Sequence, residues 1–144
     1  MLTDCLLICI VVGTVLSGPV YVEELEDLVP EGPDRFELKM LDSDKLMTRS
    51  QKQQRLYQIL ARQPTYIQQA YTAKVQYKQA RRAAKAQYKQ QIANQRGLGS
   101  FQSQMNAIKN DMGISSAEAD RRKYELRRQY YTSYPAAAPY IIDD

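Results

Sequence analysis

The sequence predicts a mostly α protein with three or four helices, and three observations support this prediction. Residues 64–96 contain no glycine and, after Pro64, no further proline, and they are rich in Ala, Gln, Lys and Arg, which favour helix. Apolar residues elsewhere in the chain recur three and four positions apart, which is the spacing of one helix face. Glycine residues and capping signals separate these stretches. One long cationic helix, at about 64–96, is therefore the centre of the predicted fold.

Residues 1–17 have the pattern of a secretory signal peptide. Their apolar run extends from Leu6 to Leu16, which is shorter than the roughly 20 residues that a membrane-spanning helix needs. Slim side chains just before the site favour cleavage after Ser17. We therefore predict a secreted, extracellular protein. An uncleaved anchor over residues 5–22 stays an alternative, because no Lys or Arg precedes the apolar run.

Residues 18–44 form an acidic segment that we predict to be flexible and partly irregular. The segment carries nine acidic residues against two basic ones, Arg35 and Lys39. Proline and glycine cluster at residues 29–34, which favours turns or short helical pieces. Residues 45–96, by contrast, carry twelve basic residues and no acidic one. This asymmetry indicates either a basic binding surface or an acidic arm that folds onto such a surface.

Residues 45–131 are predicted to form a basic helical domain that starts with a helix over residues 45–62. The apolar side of that first helix is expected to consist of Leu46, Leu56, Ile59 and Leu60. Pro64 then either starts the long helix, where its missing N–H has no cost, or kinks one continuous helix. The long helix is expected to end at Arg96, because Gly97 is a typical helix stop.

Two further helices are predicted after the linker that follows residue 96. The first covers residues 101–112 and is closed by Gly113. The second starts after Ser115 and runs to about residue 131, because Glu118 stands three positions after the serine in a capping-box pattern. Residues 132–144 contain two prolines and no periodicity, so we predict a disordered, flexible Tyr/Pro/Ala tail.

The long helix contains a repeat, AKVQYKQ at residues 73–79 and AKAQYKQ at residues 84–90. Equivalent residues are eleven positions apart, which is almost three helical turns, so they lie on one face with a slight drift. We predict that this face packs against a partner helix or a second copy of the chain, giving a homo-oligomer. The tyrosine–alanine stripe consists of Tyr66, Ala70, Ala73, Tyr77, Ala80, Ala84, Tyr88 and Ile92.

Basic residues lie beside the stripe and have no acidic neighbours in the helix. Like charges three and four residues apart each cost a helix about 0.2–0.5 kcal/mol, so something must relieve the repulsion. Solvent and counterions, the chain's own acidic segment, or an external polyanion could each do so. We name as the polyanion surface Lys74, Lys78, Arg81, Arg82, Lys85, Lys89 and Arg96.

The external partner expected from this surface is an acidic extracellular polymer or protein. Nucleic acid is disfavoured by the signal sequence and by the absence of a recognisable reading module. A membrane partner is only an alternative, because a membrane-active helix needs a broad apolar face, and this one has alanine and tyrosine.

The residue types also argue against an enzyme. The chain has no histidine, and both cysteines, Cys5 and Cys9, lie in the signal sequence. The sequence therefore lacks the usual catalytic bases, nucleophiles and zinc ligands, and we predict no catalytic residue, no cofactor and no metal site. Tyrosine, glutamine and lysine are instead the substrates of extracellular cross-linking. Candidate cross-linking tyrosines are Tyr130, Tyr131, Tyr134 and Tyr140.

Three functional hypotheses remain open from the sequence, the third of which is a helical surface protein held by the uncleaved anchor. The first is a secreted, non-enzymatic structural protein of an extracellular matrix, shell, eggshell or cuticle-like material, which binds acidic partners and self-associates. The second is a precursor, in which an acidic pro-segment masks a cationic helical effector that acts on membranes or on an egg or sperm coat.

Overall fold

The computed structural model describes residues 19–135, and its regular structure is helical. Residues 1–18 and 136–144 lie outside the described part, so the predicted signal peptide and residues 136–144 of the predicted tail are not covered. The predicted mostly α class is confirmed, with six helices in the described range in place of three or four. The helices are α1 (Val22–Glu26), α2 (Pro33–Ser43), α3 (Arg49–Ala61), α4 (Thr65–Gln95), α5 (Gly99–Asn110) and α6 (Ser116–Ser133).

The first apolar cluster, here called the amino-terminal cluster, joins α1, α2, α3 and the first part of α4. Leucine, isoleucine and valine side chains from all four helices are buried in it, together with one tyrosine. Burial of each such aliphatic side chain contributes roughly 1.5–3 kcal/mol relative to exposure. Its buried members are Val22, Leu25, Val29, Leu38, Leu41, Leu56, Ile59, Ile67, Tyr71 and Val75.

The predicted flexibility of the acidic segment is contradicted in its described part by burial in the amino-terminal cluster, whereas the short helical pieces that its sequence allowed are present as α1 and α2. Pro33 occupies the first turn of α2, where a proline is well tolerated, and does not break a helix. The apolar residues of α1 and α2 are spaced three apart, as in the pair Leu38 and Leu41, and both of these are buried. Burial of one apolar side therefore fixes these helices, and the acidic side chains lie around it.

The third helix starts later than predicted because of a capping box. The Thr48 hydroxyl accepts a hydrogen bond from the Gln51 backbone N–H, and the Gln51 side chain accepts one from the Thr48 N–H at 3.0 Å. Helix α3 consequently begins at Arg49. Leu46, predicted on its apolar side, lies before the helix and is exposed.

Lys52 on α3 is buried, and its ammonium serves as a cap for α2. The Nζ atom donates to the Asp42 carbonyl oxygen at 3.0 Å, near the carboxyl end of α2, where a cation is favourable. Burial lowers the pKa of Lys52, and the negative charges of Asp42 and Asp44 partly oppose this shift.

Helix α4 ends at Gln95 because Gly97 adopts the left-handed conformation, with φ of 74°. The Leu98 N–H donates to the Ala93 carbonyl at 2.8 Å, and the Gly97 N–H donates to that of Asn94 at 3.2 Å. This pair of bonds is a Schellman motif. The predicted stop at residues 96–97 is confirmed, and the turn sends the chain back along α4.

The second apolar cluster, here called the carboxy-terminal cluster, joins the end of α4 to α5 and α6. Helix α5 runs antiparallel to α4, since Gln90 contacts the start of α5 and Arg82 contacts its end. The Ser115 hydroxyl accepts from the Glu118 N–H at 3.1 Å and caps α6, as predicted. The buried members of the cluster are Ala93, Leu98, Phe101, Met105 and Leu126.

The two last helices differ slightly from the predicted ranges. Helix α5 ends at Asn110, and Met112 lies outside it. Helix α6 continues through Ser133, so the first two residues of the predicted tail, Thr132 and Ser133, are helical.

A polar junction connects the start of α3 to the loop between α5 and α6. One guanidinium nitrogen of Arg49 donates to the carbonyl oxygens of Ile108 and Asp111, each at 2.9 Å. Thr48 and Ser115 also form an isolated antiparallel backbone bridge. The two apolar clusters share no buried residue, so this junction and the length of α4 hold them together.

Candidate polyanion and self-association surface

The buried face of α4 is not the tyrosine–alanine stripe. In the amino-terminal half of the helix, the residues that enter the core are Ile67, Tyr71 and Val75, which are spaced four apart. This row lies roughly one third of a turn away from Tyr66 and Tyr77 at 3.6 residues per turn. The sequence interpretation overlooked Tyr71, whose four-residue spacing from the two aliphatic residues was the available signal.

The stripe itself faces outward along most of the helix. Its three tyrosines and most of its alanines are exposed, and only Ala70 and Ile92 are partly buried. The interior of this chain therefore does not use the stripe as a packing seam. Its predicted role in self-association stays a prediction.

The first two residues of the polyanion surface are paired with the acidic segment. Lys78 forms an ion pair with Glu24, and Lys74 lies 3.1 Å from Asp27. Glu24 is almost fully buried, whereas the Lys78 side chain is half exposed. The hydrogen bond to Glu24 is the main cause that raises the pKa of Lys78; desolvation opposes this shift, and the charges of Glu24, Glu23 and Asp27 add to it. The chain itself thus neutralises the amino-terminal end of the surface.

Helix α3 takes part in the same neutralisation. Arg62 donates to Asp34 at 2.8 Å and to Glu37 at 2.7 Å, and Arg55 also pairs with Glu37. The acidic segment therefore binds bases on both α3 and α4. Of the three ways of relieving the cationic repeat, the internal one operates for Lys74 and Lys78.

The middle of the surface has different partners. The Arg81 guanidinium lies over the Tyr77 ring, 5.7 Å from its centroid, in a cation–π arrangement. Arg82 points away from Arg81 toward α5, where it donates to the Asn110 side-chain oxygen at 2.9 Å. Arg82 thus helps to hold α5 against α4, which sequence reasoning did not anticipate.

Lys85, Lys89 and Arg96 continue the surface toward the end of α4. Lys85 and Arg96 are exposed, and Lys89 is half-buried. Burial lowers the pKa of Lys89, and the positive charge of Lys85 adds to this effect. The acidic segment covers the beginning of the surface, so this end is the part that faces away from it.

The spacing of α4 separates three kinds of side chain around the helix axis. At 3.6 residues per turn, the bases of the polyanion surface lie on one flank of the tyrosine–alanine stripe, on an arc that overlaps the direction of the buried face: Arg81 is next to the stripe, whereas Arg82 points in the direction of the buried residues. The opposite flank is rich in glutamine and has no charge. Its exposed members are Gln69, Gln76, Gln87 and Gln91.

The candidate cross-linking tyrosines differ in their surroundings. The Tyr130 ring packs against Phe101, with 4.8 Å between ring centroids, and against Tyr134 at 5.7 Å. Tyr131 and Tyr134 are exposed. Tyr140 lies outside the described residues.

Burial raises the pKa of the Tyr71 phenol, and the nearby charges of Tyr57, Glu24 and Tyr21 act in the same direction. The Tyr21 hydroxyl is buried and has no hydrogen-bond partner. We assign Tyr71 a packing role in the amino-terminal cluster, where it is buried with residues of α1, α2 and α3.

Within residues 19–135, no group of three or more acidic side chains is arranged to hold a metal ion. The helices of that range are also too short or too polar to cross a membrane. Comparison with protein-family models, with curated proteins and with solved structures gives no match for this chain.

Proposed function

We propose that this is a secreted, non-enzymatic structural protein of an extracellular material, which holds acidic polymers or proteins through α4 and self-associates through the same helix. One observation carries the proposal: the tyrosine–alanine stripe faces outward, with the exposed bases Arg81 and Lys85 beside it, while the core uses another face of α4. Exposed tyrosines in a row are the kind of side chain that forms interfaces.

Pairing of two α4 helices would couple the two binding roles. If two copies pair antiparallel through the stripe, a twofold axis perpendicular to the helices places both cationic flanks on the same side of the pair. A linear polyanion lying along that side contacts both copies and relieves the repulsion between them. Self-association and polyanion binding therefore strengthen each other in this arrangement.

The polyanion role is tested by a charge-matched pair of triple variants. The first, Arg81→Gln with Lys85→Gln and Lys89→Gln, removes three bases from the middle and the far end of the surface, beyond the part that is paired with the acidic segment. The control, made of Lys39→Gln, Lys45→Gln and Arg128→Gln, removes three exposed bases elsewhere and has the same net charge.

Binding to heparin and to polyglutamate is measured at low and high salt. We expect the surface variant to bind at least about tenfold more weakly than the control, because several charge contacts are lost together. Binding of the wild type should weaken steeply as salt rises. Equal binding by both variants, or no salt dependence, would contradict the proposed surface.

The precursor hypothesis is a second candidate, and the ion pairs between the acidic segment and α3 and α4 favour it. Removal of residues 18–44 would free Lys74 and Lys78 from Asp27 and Glu24. It would also uncover the apolar residues that α1 and α2 now bury, among them Ile67. A broad apolar face beside free bases is the pattern of a membrane-active helix.

The amino terminus of the natural protein separates the two candidates. A mature chain that begins near Gly18 supports the structural protein, because the acidic segment is then retained. A chain that begins near Lys45 supports the precursor. Mass spectrometry of the intact protein from its tissue distinguishes these masses directly.

A further inference from the structure

Among residues 19–135 seven tyrosines are exposed, and three of them form one row along α4. Tyr66, Tyr77 and Tyr88 have exposed fractions of 67%, 63% and 65%. They are separated by eleven residues in each case, which corresponds to about 16 Å of helix. The other exposed tyrosines, at positions 57, 124, 131 and 134, are divided between α3 and the end of the chain and form no comparable row.

We propose that Tyr66, Tyr77 and Tyr88 are sites of oxidative tyrosine coupling between copies of this chain, with a peroxide as the oxidant. The inference rests on the proposed self-association through α4 and assigns to it a specific covalent chemistry. Tyr130, by contrast, is packed against Phe101, which restricts access to its ring.

Equal spacing makes the row suited to coupling in more than one register. When two α4 helices pair antiparallel around Tyr77, that residue meets Tyr77 of the second copy. Tyr66 then meets Tyr88 of the second copy, and Tyr88 meets Tyr66 of the second copy. Packed helices lie about 8–10 Å apart, so facing rings come into contact. One antiparallel pair thus brings three pairs of phenols together.

A shift by one repeat replaces these three pairs with two new ones and leaves one tyrosine of each copy at an end of the overlap. That tyrosine is then available to a third copy, so the same row supports open-ended assembly. Non-closing contacts of this kind produce filaments and not closed dimers. A row of three equally spaced tyrosines can therefore link many chains.

The coupling step is balanced as follows. A peroxidase or metal catalyst transfers one electron and one proton from each of two phenols to hydrogen peroxide, which is reduced to two water molecules. The two phenoxyl radicals join through their ortho carbons, and each ring then loses its ortho hydrogen to the phenoxyl oxygen as it regains aromaticity. The product is a biaryl with both hydroxyl groups restored.

The test compares two triple variants after treatment with peroxidase and hydrogen peroxide. The row variant carries Tyr66→Phe, Tyr77→Phe and Tyr88→Phe, and the control carries Tyr57→Phe, Tyr124→Phe and Tyr134→Phe. Both remove three exposed phenols and keep all the rings. Circular dichroism checks that each variant retains the helical content of the wild type.

Dityrosine fluorescence, covalent oligomers on denaturing gels and peptide mapping are the readouts. We expect the row variant to lose about fivefold or more of the coupling and the control to lose little, because association raises the effective concentration of the facing row. Mapped links should join the three positions to one another. Random coupling among the seven exposed phenols would lower the signal by the same factor in both variants and would overturn the inference.

Sedimentation without oxidant separates this inference from the proposed self-association. A wild type that associates while its links map to other tyrosines contradicts the coupling sites alone. A monomeric wild type with links at the row supports the sites and contradicts stable association. A monomer with scattered links contradicts both.

Discussion

Leu25 offers the sharpest test of whether the acidic segment is part of the fold. It lies in a helix of only five residues, and its exposed fraction is 0%. Leu25→Ala removes the isopropyl part of a buried side chain and leaves a cavity between α1 and the rest of the amino-terminal cluster. Substitutions of this kind lower the free energy of unfolding by about 2–5 kcal/mol. Since small domains have total stabilities of about 5–15 kcal/mol, the loss is a large part of the whole.

Urea denaturation followed by circular dichroism at 222 nm measures the effect. With a slope of about 2 kcal/mol per molar urea, a loss of about 3 kcal/mol moves the midpoint down by about 1.5 M. Leu46→Ala is the matched control, because this leucine has an exposed fraction of 82%. Its midpoint should move by less than about 0.25 M, since exposed substitutions change stability by about 0.5 kcal/mol or less.

The comparison has an outcome that refutes the reasoning. If both leucine variants unfold at the same urea concentration as the wild type, α1 does not dock on the cluster. The segment would then be the flexible arm that the sequence suggested.

Four further predictions concern single positions outside the amino-terminal cluster. The Arg121 and Arg122 guanidinium groups lower the pKa of Glu118 to about 2 from 4.5. The stabilising effect of the Glu118 carboxylate is therefore present above about pH 4.5 and is lost as pH falls toward 2. Glu118→Gln should slightly flatten the dependence of the unfolding free energy on pH in that window, and carboxyl NMR should give the titration midpoint of Glu118 in the wild type. Arg49→Ala should lower the free energy of unfolding by about 1.5–3 kcal/mol, because two carbonyls lose a charged donor; retention of wild-type stability in urea would exclude a structural role for this junction. Gly97→Ala should cost about 1–2 kcal/mol for its left-handed backbone, whereas an unchanged thermal midpoint would show that the turn tolerates a side chain. Phe101→Ala should lower the free energy of unfolding by about 3–5 kcal/mol, and amide hydrogen exchange should then become faster in α5 and α6. Faster exchange throughout α3 as well would show that the two clusters unfold as one unit.

The long helix could be predicted from the sequence because its signals are local. Residues 65–95 have high intrinsic helix propensity, and Gly97 adopts the left-handed backbone conformation that ends the helix. The Ser115 cap was readable for the same reason, since donor and acceptor lie three residues apart. Local chemistry fixed these boundaries to within one residue.

The sequence allowed short helical pieces in the acidic segment but did not predict that they dock on the core, because their stability is not local. The cluster around Pro33 has the composition of a loop, and α1 is too short to be stable by itself. Both helices are held by residues far away in the sequence, such as Ile67 on α4. The three-residue spacing of apolar side chains in the acidic segment indicates helices with one apolar side, but the sequence does not show which surface that side packs against.

The candidate surface was predicted in part. The sequence suggested that the acidic segment could neutralise the cationic repeat, and the pairs of Lys74 and Lys78 confirm this for one end. It could not indicate that Arg82 turns inward to α5, because that contact depends on how the chain folds back after Gly97. Two rows on α4, one through Tyr71 and one through Tyr77, had comparable spacing, and only packing decides which one is buried.

The return of α5 along α4 limits how the repeat number can vary during evolution. From Arg82 to the end of α4 is about 20 Å, and α5 covers nearly the same length before Asn110 meets Arg82 again. Insertion of one more eleven-residue unit between Arg82 and Gly97 would keep every helix face in phase but would move this meeting point by about 16 Å. Relatives with longer or shorter α4 helices should therefore show a compensating change in α5 and α6. An additional repeat in α4 without such a change would move the loop between α5 and α6 away from Arg49 and break the polar junction.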